Sequence, residues 1–455
     1  MKVALVWLRR DLRVHDHAAI SLAQSLADRV CPVFIYDTNI LDKLSNPQDR
    51  RVRYIQESVS YLVNNFPILT AHGDPVHLIP KIARELKAGA VVASHDDDPY
   101  ALSRDEDVRE RLADEGIEWR SVKDHVIFER QEILNQSGQP HRVFTPYKRA
   151  WLVRLTAADY AEAVTDPGQL WAPDSITSAR RGNFTLQELG FQDVNTTQPG
   201  GVAAAQARLR DFESQINDYA KTRDFPDRAG TSLLGTDLRH GTISVRECVR
   251  LAYKHQSEGA RVWLSELVWR EFFQMILANF PHVATEPFQT KYKDLKWPGN
   301  PAHFDAWAAG MTGYPLVDAA MRCLNRTGRM HNRLRMITAM FLTKDLLLDY
   351  RKGEAYFSER LLDFELASNN GGWQWCASVG VDAQPYFRVF NPVTQSQKFD
   401  PDGLFIKEWC PELSHLNSKS IHLPGDKVAG YPAPLVDHAT QRVRAISMFR
   451  NGGAT

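Results

Sequence analysis

In the first 130 residues, short apolar or β-branched runs alternate with stretches of helical period. The runs fall at residues 3–8, 30–36, 68–71, 90–94 and 119–128, and the helix-patterned stretches between them at 53–63, 77–86 and 104–115. Strands alternating with helices predict βαβ units and a parallel, Rossmann-like sheet. Arg9, Arg10 and Asp11 follow the first run, which sets them at the carboxyl edge of the sheet, where open α/β folds receive ligands. No GxGxxG is present, so the usual dinucleotide fingerprint is absent. From about residue 129 to 200 the pattern breaks into clusters of Gly, Pro, Ser, Thr and Asn, with one helical piece at 147–163. Such clusters mark loops, here a connector. Beyond it the period is almost wholly helical, at 203–219, 245–255, 260–279, 301–309, 316–324, 333–350 and 354–361. The expectation is an α/β domain over 1–130, a connector over 131–200 and an all-α domain over 201–455, with a frayed end at 451–455.

A chain of 455 residues is long enough for two or three domains around real cores. Apolar residues make up 43% and charged residues 24%, a globular balance that rejects disorder and collagen-like repeats. The five cysteines (Cys31, Cys248, Cys323, Cys376, Cys410) include no CxxC pair, which suggests neither a disulfide framework nor a metal site and fits a reducing interior. Two arginines interrupt the N-terminus before an apolar stretch is long enough for a signal, and no later run approaches a membrane span. Lys plus Arg and Asp plus Glu number 55 each, so any nucleic-acid site must be a local patch. Residues 1–130 carry 18 basic and 21 acidic side chains, too small an imbalance to locate that patch.

Seven of the eleven tryptophans lie between Trp263 and Trp409, which draws attention to the helical half. In WLSELVWREFFQM, a 100° step puts Leu264, Leu267, Val268, Phe272 and Met275 on one face, an adequate core stripe. The opposite face holds Trp263, Glu266, Trp269, Arg270 and Phe273. This is either a helix buried on both sides with Glu266 and Arg270 paired at i,i+4, or the wall of a pocket for flat rings with polar edges. Residues 328–350 open with His331, Asn332, Arg333 and Arg335 and then become apolar all round. That pattern reads as an anion site at a helix start or as surface arginines flanking a core helix. LLDFELASNNGGWQW sets Asp363, Glu365, Ser368, Asn369 and Asn370 beside two glycines and two tryptophans. It reads as a clasp for a heteroaromatic ring or as an Asx-rich loop. Thr231 and Ser232, with Gly230 and Gly235 around them, offer a weaker signal for a diphosphate.

The segments WLSELVWREFF, TGYPLVDAAMRCLN, MHNRLRMITAMFL, ASNNGGWQW and PYFRVFNPVTQSQKFDPDG resemble the flavin-binding region of the photolyase and cryptochrome family, most of all class I cyclobutane pyrimidine dimer photolyases. The likeness runs from WLRRDLRVHD to KEWCPEL, nearly the whole chain. It implies reduced FAD in the helical domain and light-driven electron transfer to a pyrimidine dimer flipped out of UV-damaged DNA, an extrusion that the aromatic wall suits. By that resemblance Trp263, Glu266, Trp269, Asn332, Met336 and Trp375 line the dimer pocket, with Glu266 on a thymine edge. Tyr219, the TSLLG residues Thr231, Ser232, Leu233, Leu234 and Gly235, and Trp263, Arg270, Asp363, Glu365 and Asn369 hold the cofactor. Asn369 faces flavin N5, and Arg335 pairs with Asp363 near the ring. Arg223, Arg333 and Arg388 reach DNA phosphates, which position the strand without reading sequence.

Three departures from the family pattern bear on detail. The electron-transfer tryptophans correspond here to Trp297, Tyr350 and Trp373, so the middle member is a phenol and photoreduction is expected to be slow or to detour through another residue such as Trp307. Gly235 replaces a usual Ser, and Arg329 a usual Trp. Folate-type members carry Asn-Glu where this chain has Tyr100 and Ala101, and residues 72–105 resemble deazaflavin-type members instead. The antenna expected near Asp37, Arg51 and Asp96 is thus 8-hydroxydeazaflavin, with FMN or methenyltetrahydrofolate behind it, against an empty cleft. The rival function is a cryptochrome-like blue-light receptor without repair. Plant-type receptors carry Asp at the position of Asn369 and extend beyond the fold, while photolyases for the (6-4) lesion have His-His where His331-Asn332 stands. A flavoenzyme working in the dark is a remoter option, with no pyridine-nucleotide site to support it. The expected protein is a cytoplasmic monomer, at the nucleoid when bound to DNA if prokaryotic.

Overall fold

The computed structural model describes residues 1–174, 176–425 and 428–452. The chain divides into two compact units interleaved in sequence. The first comprises Met1–Ile133, Lys148–Ile216 and Ser232–Glu271; the second comprises Leu134–Tyr147, Asn217–Thr231 and Phe272–Thr455.

The first unit is built on six strands: β1 (Val3–Leu8), β2 (Arg29–Asp37), β3 (Leu69–Gly73), β4 (Ala90–Ser94), β5 (Glu118–Val122) and β6 (Arg180–Arg181). Their order is β5-β4-β1-β2-β3-β6, with only β6 antiparallel. In register, Val6 lies between Pro32 on one side and Val92 on the other. The sheet is packed on both faces: Val6, Leu8, Phe34 and Val92 join one buried cluster, while Leu5, Trp7, Val33 and Val91 join another. Continuous burial of alternate residues explains why these strands read as apolar runs rather than as an alternation. Part of the expected connector packs here as well, since Leu170, Leu186, Leu189 and Phe191 are buried in the first of those clusters.

β5 stops at Val122, short of the expected 128. Asp124 is drawn instead into a buried charge cluster, accepting from Arg13 at 2.6 Å and from Arg246 at 2.8 Å. The amides of Ile127 and Phe128 donate to the Glu271 carboxylate at 2.7 and 3.0 Å, not to a neighbouring strand.

Helices dominate the second unit; two expectations there need correction, and one of two readings left open by the sequence falls away. The expected helix 333–350 breaks into Asn332–Met340, a π-helical turn Phe341–Asp345, and a new helix Tyr350–Arg360. Leu347 takes a left-handed φ of 54°, and Asp349 caps the new helix by accepting from Arg351 N–H. The Asn-Gly-rich segment is no loop but the helix Leu366–Ala377. It survives two glycines because Asn370 and Gln374 side chains bond the Val283 carbonyl at 2.8 and 3.0 Å, and because Gly371 admits the Phe273 ring, which an added Cβ would meet at 2.1 Å. The C-terminal end is not frayed up to Gly452, since His438–Gly452 is helical; residues 453–455 lie outside the described residues. Elsewhere, the expected helix 147–163 is Phe144–Arg154, ended by a turn in which Asp159 accepts from Thr156 N–H. The stretch 203–219 is helical only over Val202–Glu213 before breaking into short turns. No described helix is long and apolar enough to cross a membrane.

Candidate functional site

A cavity of about 390 Å³ opens within the second unit. The helix Asn332–Met340 supplies Arg333 and Met336, the helix Leu366–Ala377 supplies Trp375, and the loop before Pro392–Phe399 supplies Arg388. These four sequence-derived residues therefore share one wall. Asp224, Gln384, Phe390, Gln395, Lys398 and Phe399 complete it, none of them singled out by the sequence patterns. The Asn391-Pro392 pair is a legible helix start, but no sequence pattern tells which face of that helix meets a cavity.

His331 caps the first of these helices, its Nδ1 accepting from Arg333 N–H at 3.2 Å. Burial pushes its imidazole down to about 4, so near neutrality it is uncharged and able to accept. Arg333 pairs with Asp224 at 2.8 Å and lies 4.5 Å from the Phe399 ring centroid. Asn332 is exposed and does not line the cavity. Arg223 is half-buried over the Tyr219 ring at 5.3 Å.

The polar cluster around Asp363 is hydrogen-bonded within itself and to Glu354. Arg335 Nη2 donates to both oxygens of Asp363, at 3.0 and 2.8 Å. Glu365 is buried and accepts from Ser368 Oγ at 3.0 Å. Asn369 Nδ2 donates to the Glu354 carbonyl at 3.1 Å, and no described residue bonds its Oδ1. Two features fit a ring lying on this helix. A Cβ built at half-buried Gly372 would meet nothing within 4 Å, and Trp373 Nε1 is a buried donor without a partner among the described residues.

Of the aromatic residues expected to carry electrons, Trp297 and Tyr350 pack edge to face with centroids 6.4 Å apart. Burial pushes the Tyr350 phenol well up from its ordinary value. Trp373 contacts Phe357 at 4.9 Å and Trp307 at 6.1 Å, and Trp307 in turn lies 5.7 Å from Tyr356.

Other candidate residues belong to the first unit. On the helix Glu258–Asn279, Leu264, Leu267 and Val268 are buried as the core stripe requires. The opposite face is not solvent: Trp263 is buried against Phe212 at 4.8 Å, while Glu266, Trp269 and Arg270 are half-buried. Arg270 Nη1 donates to the His125 carbonyl at 2.6 Å. Ser232 Oγ accepts from Leu234 N–H at 3.4 Å; Leu233 is exposed with φ 56°, Leu234 is fully buried, and Gly235 starts a short helix. Tyr219 and Thr231 belong to the second unit.

The antenna candidates sit at the sheet's carboxyl edge, where the strand order reverses about β1. Asp37 ends β2, is pushed up by burial, and accepts from Tyr100 Oη at 2.7 Å. Asp96 follows β4; burial alone would raise its carboxyl, and the guanidinium groups of Arg10, Arg9 and Arg239 outweigh that and hold it low. Arg10 Nη1 reaches Asp96 at 2.9 Å. Arg51 turns to Asp49, its Nε at 2.9 Å from Oδ1.

The same chain matches known families at both ends. Residues 4–167 match the DNA photolyase family model, and 263–451 match the FAD binding domain of DNA photolyase. The deoxyribodipyrimidine photo-lyase of Vibrio cholerae is 39% identical over 468 residues, covering 98% of this chain and 99% of that protein. A solved bacterial class III photolyase from Agrobacterium tumefaciens superposes with a TM-score of 0.90 at 32% identity, covering 100% of this chain and 98% of that one. An archaeal photolyase from Sulfolobus tokodaii, solved with two FAD molecules, gives 0.86 at 32% identity, covering 99% and 100%.

Proposed function

This chain belongs to the DNA photolyase family, and on that premise we propose that it repairs cyclobutane pyrimidine dimers in UV-damaged DNA, using light and reduced FAD. The observation that carries the reading is the cavity in which Trp375 and Met336 offer a flat apolar contact while Arg333 and Arg388 supply positive charge. An extruded pyrimidine dimer needs both: a stacking surface, and cations for the phosphates that accompany it.

Bound and reduced, FAD supplies the excited one-electron donor. The protein's part is to hold, orient and screen. Arg335 and Asp363 form an ion pair that would meet the polar ring edge, and Asn369, whose Oδ1 no described residue bonds, would accept from the N5–H of a reduced flavin. Tyr219, Thr231, Ser232, Leu233, Leu234, Gly235, Trp263, Arg270 and Glu365 complete the proposed cofactor set. Glu266 hydrogen-bonds a thymine edge and stabilises the charge that develops on the dimer; Trp263, Trp269 and Asn332 are its proposed companions in lesion contact, and Arg223 a further phosphate contact. Trp297, Tyr350 and Trp373 would relay electrons from an external donor toward the bound flavin. In domain terms, 1–130 holds the antenna, 131–200 connects, and 201–455 binds FAD and DNA. The antenna proposed near Asp37, Arg51 and Asp96 is 8-hydroxydeazaflavin, with FMN or methenyltetrahydrofolate as alternatives. A cytoplasmic monomer completes the proposal.

The test is blue-light repair of dimer-bearing oligonucleotides by purified protein whose flavin has been fully reduced, followed by chromatography of the product. Wild type should restore the pyrimidines, and Glu266→Ala or Trp375→Ala should lower the yield or weaken lesion binding, the latter by about 1–3 kcal/mol if a stacked base is lost. Inactivity of the reduced wild type would instead favour the blue-light receptor. A folded but flavin-free, colourless protein that cannot be reconstituted would exclude both.

A further inference from the structure

Asp224 occupies the cavity wall and carries no role in the reading above, yet it closes the guanidinium of Arg333, accepting at Oδ1 from Nη2 at 2.8 Å. Arg333 is otherwise placed for anion recognition, 21% exposed at the cavity wall with the Phe399 ring 4.5 Å from its guanidinium. The cavity's other two cations are in a different condition. Arg388 and Lys398 are exposed, and among the described residues neither makes an ion pair. A phosphate approaching this face therefore meets two open charges and one that is already balanced.

We propose that Asp224 is a specificity-determining residue that withholds Arg333 from undamaged DNA and releases it to the phosphate of an extruded, damaged nucleotide. This rests on the reading of the cavity as the receiver of a lesion. A phosphate of ordinary duplex gains little from Arg333, because taking it means breaking or sharing a charge-assisted hydrogen bond. An extruded nucleotide brings its phosphate inward together with base contacts to Trp375 and Met336, and those contacts offset the loss of the pair. Imposing a cost on the wrong partner raises discrimination without adding a contact to the right one. Arg388 and Lys398, unguarded, serve the encounter with any DNA, the sequence-independent part of binding.

The experiment is dark binding, by fluorescence anisotropy across a salt series, of the FAD-loaded enzyme to a duplex with one thymine dimer and to the same duplex undamaged. Asp224→Asn should bind undamaged duplex about 2- to 5-fold more tightly, with a salt dependence steeper by about one, and should prefer the lesion less. Asp224→Glu should behave as wild type. In an Arg333→Ala background, Asp224→Asn should add nothing, since the pair's partner is gone. Unchanged or weaker binding of undamaged duplex by Asp224→Asn, with the flavin spectrum intact, overturns the inference. So does a gain that persists without Arg333, which would mark a mere change in surface charge. Should the Asn variant lose its flavin, Asp224→Ser carries the same comparison. A wild type that binds lesion and undamaged duplex alike would remove the repair reading itself, a failure visible before any variant is made.

Discussion

Glu354 is half-buried, and desolvation pushes its carboxyl up to about 7, outweighing the hydrogen bond from Asn370 and the charge of Arg351, which act the other way. An unfolded glutamate ionises near 4.5. Between those two values the folded protein keeps a proton that the unfolded chain has released, so stability falls as pH rises across that window and is level above it. Glu354→Gln keeps the acceptor for Asn370 and removes the charge. The variant should gain on wild type through pH 4.5 to 7, reaching about 3 kcal/mol at pH 8, measured as the difference between two denaturant titrations; a variant that tracks wild type at every pH would show the carboxylate to be ionised at no cost. Tyr350 gives a second residue-scale prediction. A phenol releases a proton on oxidation, and burial holds that proton tightly. Tyr350→Trp should therefore speed photoreduction of oxidised flavin under an external donor. Trp307, which touches Trp373 at 6.1 Å, supplies the control: slowing in Trp307→Phe alone, with no change in Tyr350→Trp, would route the electron through Trp307 and Tyr356.

Packing between helices is decided by two glycines of opposite character. In the helix Tyr350–Arg360, a Cβ at Gly353 would lie 2.1 Å from Trp373 Cη2 and 2.6 Å from Leu342 Cδ2. Gly353→Ala should destabilise by about 1–3 kcal/mol through overpacking, read as a lowered thermal midpoint. At Gly372 the space is open, so alanine should leave the flavin-free protein as stable or slightly more so, by up to ~1 kcal/mol of helix propensity, while lowering its affinity for FAD; unaltered FAD affinity would mean the ring does not lie there. Elements of strong period were legible in the chain: β1 and β4 keep their expected limits, as does the helix Val245–His255. Elements shaped by particular side chains were not. β5 ends early because Asp124 is needed by two arginines, and Leu366–Ala377 is helical because Asn370 and Gln374 find partners on another segment. Neither partner is local in sequence, so no window of residues could reveal it.

Across the whole molecule the formal charge is zero, and DNA binding must come from a few cations rather than from the general field of the protein. Arg388→Ala and Lys398→Ala should each flatten the slope of log affinity against log salt by about one, and together by about two, without changing lesion preference; a slope unmoved by both would place the phosphate track elsewhere. By itself the chain determined the alternation of strands and helices, the change to an all-helical second half, the concentration of tryptophan there, and the family, because period and long contiguous motifs are local properties. Only the tertiary structure decided that Arg333, Met336, Trp375 and Arg388 share one cavity, that Arg333 is held by Asp224, and that burial raises the Glu354 carboxyl. Those outcomes depend on distance and burial between residues far apart in sequence, quantities that a one-dimensional pattern does not contain.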